Sequence, residues 1–182
     1  MVATVSPTIQ LSSGDRLITV AGGCFWGLDQ LYSKQYLGHG LTDAKVGYAN
    51  GQTDIENPSY ERVCEGDTNY AEVLQIAYDP EKLSLNELVS FFYRIHDPTT
   101  VNAQGKRNRG TQYRSAIFYH NPSDLDTIRS VTVEFEKKWG APIVTQIEQI
   151  ESFYDAEEYH QQYLTKNVDG YHCDTHFIRD FD

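Results

Sequence analysis

The sequence is short of positive charge. Fifteen Lys and Arg stand against 26 Asp and Glu in 182 residues, a formal net charge of -11. That balance opposes binding to nucleic acid or to an anionic membrane surface, and leaves neutral or peptide substrates and protein partners. No apolar stretch approaches the length that spans a bilayer. The opening MVATVSPTIQLSSGDR has no basic start leading into an apolar core, so no signal peptide is expected. Its first basic residue is Arg16, which argues against an Arg-rich presequence. A soluble, cytoplasmic protein is the expectation. Cysteine is scarce: Cys24, Cys64 and Cys173, with no Cys-x-x-Cys pair. An odd, small number is no disulfide scaffold. Cys173-x-x-His176 lacks the second half of a zinc site, and there is no His-Glu-x-x-His, so neither metal nor cofactor is expected. Repeats, low-complexity segments and linkers are missing too, and one domain over 1–182 is the simplest account.

What is present is enough for a core: 40% hydrophobic and 13% aromatic residues. After an extended segment over 1–15, Leu17 to Ala21 reads as a buried strand, followed by a helix from Cys24 to about Gln35. Ala44 to Tyr48 alternates as a second strand. A Gly- and Asn-rich loop from Asn50 to Tyr70 leads to a third, Glu72 to Tyr78. Ser84-Leu85-Asn86-Glu87 is a capping box for a helix to about His96. A second long loop, Asp97 to Gln112, precedes a strand from Arg114 to Tyr119. Asn121-Pro122 then caps a helix to about Lys138. Ile143 to Ile147 suggests an edge strand and Asp155 the start of a last short helix, before an irregular, mobile tail over 166–182. The order predicts an α+β fold: a ferredoxin-like split βαβ sandwich with a mainly antiparallel sheet.

The chemistry centres on Gly23-Cys24-Phe25-Trp26-Gly27. A strand turning at once into a helix leaves Cys24 at the helix N-terminus, where free N–H groups and the dipole favour a thiolate nucleophile. A buried structural cysteine is the commoner fate of a lone thiol. The flanking glycines favour the nucleophile, because they permit close approach of backbone and ligand. Phe25 and Trp26 are core candidates, but adjacent helix positions cannot both face one core, so one is free to line an apolar pocket.

These residues resemble the signature of the A-type peptide methionine sulfoxide reductases. Further stretches resemble that family in order: Val46-Gly47-Tyr48-Ala49-Asn50-Gly51, Tyr60-Glu61-Arg62-Val63-Cys64, Gly66-Asp67-Thr68 and Ala71-Glu72-Val73. His96-Asp97-Pro98-Thr99, Gly110-Thr111-Gln112-Tyr113-Arg114-Ser115 and Phe153 to Gln161 continue it, and the tail is most similar to fungal members. The resemblance implies reduction of the S-epimer of methionine sulfoxide, free or in proteins, as repair of oxidative damage. It implies Cys24 as the nucleophile that becomes a sulfenic acid, and Glu72 as the acid. By itself Glu72 reads as a solvated strand-end carboxylate; its parity with Leu74, Ile76 and Tyr78 would instead desolvate it. Tyr60 and Tyr113 correspond to phenols holding the sulfoxide oxygen, and Phe25 and Trp26 to the pocket for the substrate's methyl group.

By the same resemblance Cys173 resolves the sulfenic acid as a disulfide, which thioredoxin reduces directly, since no cysteine follows Cys173. A monomer is expected. Cys64 is read as structural, and Glu157-Glu158-Tyr159-His160 as a solvated helix face. Where relatives carry an Asp that binds the substrate's backbone nitrogen, this chain has Asn108, in a segment one residue longer. That change is expected to weaken recognition of the free amino acid more than of peptides. Two rival readings are a thiol peroxidase, which would not need Glu72, Tyr60 and Tyr113, and an RNA-binding sheet, which the net charge opposes.

Overall fold

The computed structural model describes residues 2–182. Its elements in chain order are β1 (Arg16–Gly22), α1 (Phe25–Tyr36), β2 (Leu41–Ala49), α2 (Tyr60–Cys64), β3 (Ala71–Tyr78) and α3 (Leu85–Ile95). Then come β4 (Ala103–Gln104), β5 (Asn108–Arg109), β6 (Ser115–Tyr119), α4 (Leu125–Trp139), β7 (Gln146–Gln149), β8 (Phe153–Asp155) and α5 (Tyr163–Lys166). Six strands form one sheet in the order β7-β6-β1-β3-β2-β8. The pairs β1–β3, β1–β6, β2–β3 and β2–β8 are antiparallel, and β7 joins parallel to β6. Among the described residues no helix is long and apolar enough to cross a membrane.

The strand parity divides two cores. Ile18, Val20, Leu74, Ile76, Tyr78 and Ile117 face a cluster shared with Leu28 and Tyr32 of α1, Phe91 and Phe92 of α3, and Ile128 and Val131 of α4. Ala21, Ala71, Val73, Ala116 and Phe118 turn the other way, toward Ile150 and Phe153. Each fully buried large side chain contributes roughly 1.5–3 kcal/mol. The second face is covered in part by the extended N-terminal segment. The Phe153 amide donates to the Ala3 carbonyl at 2.8 Å, and the Ser6 amide donates to Gln75 Oε1 at 2.7 Å. Strand β3 is buried along its whole length. No methionine occurs among the described residues, so both cores are built from aromatic and aliphatic side chains without a thioether.

Local signals set several boundaries. Ser84 Oγ accepts from the Glu87 amide at 3.1 Å at the start of α3. Asn121 Oδ1 accepts from the Ser123 amide ahead of α4, and Gly140 ends that helix with φ 66°. Other expectations are corrected. The edge strand lies at Gln146–Gln149 rather than 143–147, because its pairing with β6, not its own alternation, fixes it. Asp155 closes strand β8 instead of opening a helix; the helical turns that follow are Glu158–His160 and α5. The two long loops carry α2 and the β4–β5 hairpin.

Candidate active site

Strand β1 ends at Gly22, and Gly23 turns the chain with φ 89°, a region that glycine enters without strain. Cys24 then occupies the N-cap of α1 and is half-buried. The backbone N–H groups of Trp26 and Gly27 pull its thiol down, as the helix-terminus argument expects. They do not win. Burial pushes the thiol well above its ordinary range, and the neighbouring Glu72 adds to that. The resting group is therefore a thiol, a correction to the expected free thiolate.

The acid sits directly behind it. Glu72, in β3 opposite Tyr48 of β2, is 1% exposed. Its Oε1 accepts from the Phe25 amide at 3.3 Å, and its Oε2 is buried with no partner. Burial pushes this carboxyl up to about 8, so it is mostly protonated at neutral pH. The reading of Glu72 as a solvated strand end is thus wrong. An unpaired buried oxygen is costly, about 1–3 kcal/mol, unless something else is meant to meet it.

Two phenols complete the cluster. Tyr60 opens α2, where its amide donates to Glu157 Oε2 at 3.0 Å. Tyr113 ends a helical turn, Thr111–Tyr113, which Arg114 pins by donating to the Asn69 and Thr111 carbonyls at 3.0 and 2.9 Å. Both phenols are held above their ordinary range, first by burial and next by Glu72. Cys24 acts on Tyr113 as well, so the four groups share one electrostatic neighbourhood.

Phe25 is 0% exposed, packed against Tyr48, Tyr60 and His160. Trp26 keeps some exposure. It stacks on Tyr163 at 3.7 Å, and its Nε1 donates to His160 Nδ1 at 3.0 Å. Of the two aromatics only Trp26 keeps exposed surface; Phe25 is enclosed. Glu158 and Tyr159 are exposed as expected, but Glu157 is only partly so and His160 is enclosed. His160 is 1% exposed, and Glu157 Oε1 accepts from the Tyr48 hydroxyl at 2.8 Å. Their burial arises from contacts with elements about a hundred residues earlier, which helical spacing cannot show.

The tail brings Cys173 to the same neighbourhood, close enough to act electrostatically on Cys24. It is irregular as expected, yet tied down. Cys173 is 4% exposed, the Arg179 amide donates to the Arg94 carbonyl at 2.9 Å, and Phe181 packs on Phe135 and Trp139. Asn108, in β5, is buried and donates from Nδ2 to the Tyr171 hydroxyl at 3.2 Å. Cys64, at the end of α2, is exposed rather than in the core, with the Tyr60 phenol beside it.

The sequence model of the family described as peptide methionine sulfoxide reductase matches residues 16–180. The chain belongs to this family. It is 51% identical to the peptide methionine sulfoxide reductase of Saccharomyces cerevisiae over 185 residues, covering 99% of this chain and 100% of that protein. The crystal structure of Mxr1 from S. cerevisiae in its reduced form superposes with a TM-score of 0.93 at 51% identity, covering 98% and 100% of the two chains. The structure of Mxr1 in complex with Trx2 gives a TM-score of 0.69 at 39% identity, with coverage of 98% and 100%. A thiol, a carboxylic acid and two phenols share one neighbourhood in this chain, and groups of these kinds can attack sulfur and protonate oxygen.

Proposed function

We propose that this peptide methionine sulfoxide reductase reduces methionine S-sulfoxide through Cys24. The Cys24 sulfur attacks the sulfoxide sulfur while the oxygen is protonated and held. Glu72 supplies the proton, and the Tyr60 and Tyr113 hydroxyls donate hydrogen bonds to the oxygen. Methionine leaves, and Cys24 keeps the oxygen as a sulfenic acid. The proton count balances: as the sulfur attacks, the Cys24 thiol proton passes to Glu72 and replaces the one given to the oxygen, which ends on Cys24 as S–OH. Phe25 and Trp26 receive the substrate's methyl group, and the Asn108 amide oxygen receives its backbone nitrogen. Cys173 then condenses with the sulfenic acid to a disulfide with loss of water. Thioredoxin reduces that disulfide, a step supported by the Trx2 complex of the yeast relative. The central strands β6-β1-β3-β2 fit the split βαβ arrangement, and we read the molecule as one cytoplasmic monomeric domain.

The observation that carries this reading is the orphaned Glu72 Oε2, buried and protonated next to Cys24. A neutral carboxyl with a free O–H is what a sulfoxide oxygen requires and what a simple thiol peroxidase does not. The test is mass spectrometry of a dabsylated peptide carrying methionine S-sulfoxide, incubated with dithiothreitol. Wild type should remove one oxygen and Cys24→Ser none. Equal loss with both proteins would discard Cys24 as the nucleophile.

A further inference from the structure

His176 lies three residues beyond Cys173, and both glycines of the Cys24 motif are shaped around it. Its Nε2 is 2.7 Å from the Gly22 carbonyl oxygen. A carbonyl only accepts, so Nε2 carries the ring proton and Nδ1 is the bare acceptor. That Nδ1 is buried and unpartnered. A Cβ on Gly27 would stand 2.0 Å from Nδ1, and one on Gly23 would stand 3.3 Å from Nε2. Gly27 inside a helix costs about 1 kcal/mol relative to alanine, and any side chain there would evict the imidazole.

The ring is tied to Cys173 by one tight turn. The His176 amide donates to the Cys173 carbonyl at 3.0 Å. Between them, the Thr175 hydroxyl donates to Gln104 Oε1 at 2.8 Å and lies 3.2 Å from Cys173 Sγ. Gln104 in turn occupies the space over Gly23, where a Cβ would come within 2.7 Å of its Cγ.

We propose that His176 is a positioning residue whose ring, seated between the Gly22 carbonyl, Gly23 and Gly27, docks the Cys173 turn beside the helix end that bears Cys24. This rests on Cys24 and Cys173 being the redox pair. In the step it serves, the Cys173 sulfur attacks the Cys24 sulfenic sulfur. The S–S bond forms, the S–O bond breaks, and the oxygen leaves as water with the thiol proton. A docked thiol acts at high effective concentration, so losing the dock slows this step and not the earlier transfer of oxygen.

Two measurements on His176→Ala test the dock. On the reduced protein, iodoacetamide labelling of Cys173 is followed by peptide mass spectrometry. Labelling should quicken about tenfold, the effect of losing one buried hydrogen bond. In single turnover with dabsylated methionine S-sulfoxide, methionine should appear at the wild-type rate. The Cys24–Cys173 disulfide should form about tenfold more slowly, with a sulfenic acid that dimedone traps. Gly27→Ala should reproduce both effects from the other side of the contact, and adding it to His176→Ala should change little. His176→Gln, which keeps an N–H donor, should fall between. Unchanged labelling overturns the dock whatever the chemistry. Faster labelling with wild-type disulfide formation overturns its role in resolution. A wild type that makes methionine but never this disulfide removes the redox-pair reading on which the proposal stands, and that result shows without any His176 variant.

Discussion

Glu72 and Cys173 lie within one electrostatic neighbourhood of Cys24 but are held in opposite ways. Glu72 sits on the central strand β3, buried on both faces, in pairing register with β2 and with Leu74, Ile76 and Tyr78 on its side. Cys173 sits in a tail without regular structure, fastened by hydrogen bonds to Gln104, Gly22 and Arg94 and by the packing of Phe181. The contrast teaches a division of labour. In the mechanism proposed above, the group that meets the sulfoxide oxygen is built into the sheet. The group proposed to reach the Cys24 sulfur afterwards is strapped on by contacts that are each worth about 1 kcal/mol.

The sharpest way to break this contrast is Glu72→Gln. The rate of methionine formation should fall about 10²–10⁴-fold, the usual effect of losing a general acid. The same change should stabilise the protein. A carboxyl whose folded pKa is about 8 against an ordinary 4.5 keeps its proton when folded and gives it up when unfolded. Its contribution therefore lowers stability as pH rises from 4.5 to 8. At pH 7 the gain from glutamine should reach up to about 3 kcal/mol, at 1.36 kcal/mol per pK unit, and should vanish near pH 4.5. Urea denaturation at both pH values measures it; an equal effect at the two would show that the carboxyl is ionised in the fold.

On the other side of the contrast, Cys173→Ser should leave one methionine per enzyme and the dithiothreitol-driven reaction intact. Turnover with thioredoxin as reductant should disappear. Loss of the first turnover as well would mean that the tail takes part in the oxygen transfer itself. Tyr60→Phe and Tyr113→Phe each remove one donor and should cost about 10²-fold in kcat, with KM for the peptide little changed; a change confined to KM would make them binding groups only. Asn108 lies outside the central sheet, in the separate β4–β5 hairpin, and holds Tyr171 of the tail. Asn108→Asp should keep that contact, with the phenol now donating, and should raise kcat/KM for free methionine sulfoxide a few-fold over peptide. No selective gain would sink the link between Asn108 and the substrate's ammonium group.

Much of this was legible because the signals are local. Gly23 and Cys24 between a short apolar run and a helical pattern mark the strand-to-helix turn, and Ser84 and Asn121 announce their helices by capping. The order of the first six major elements follows from period and punctuation alone. What escaped depends on distant partners. Strand β8 is three residues long and exists because Gly47 to Ala49 pair with it. His160 is buried by Trp26, 134 residues away. The expectation for the Cys24 thiol failed for the same reason: the helix end is visible in sequence, but the desolvation and the carboxyl behind it are not. The glycines of the motif promise room for a ligand, and the room beside Gly23 and Gly27 is taken by Gln104 and His176 of this same chain.

The make-up of the two cores has a consequence for the enzyme's own survival. Oxidation of a buried thioether turns an apolar side chain polar and breaks the packing around it. Here no described residue can suffer that lesion, because the space is filled by Phe, Tyr, Leu, Ile, Val and Ala. The packing of these two cores is thus out of reach of the one lesion that the family reverses.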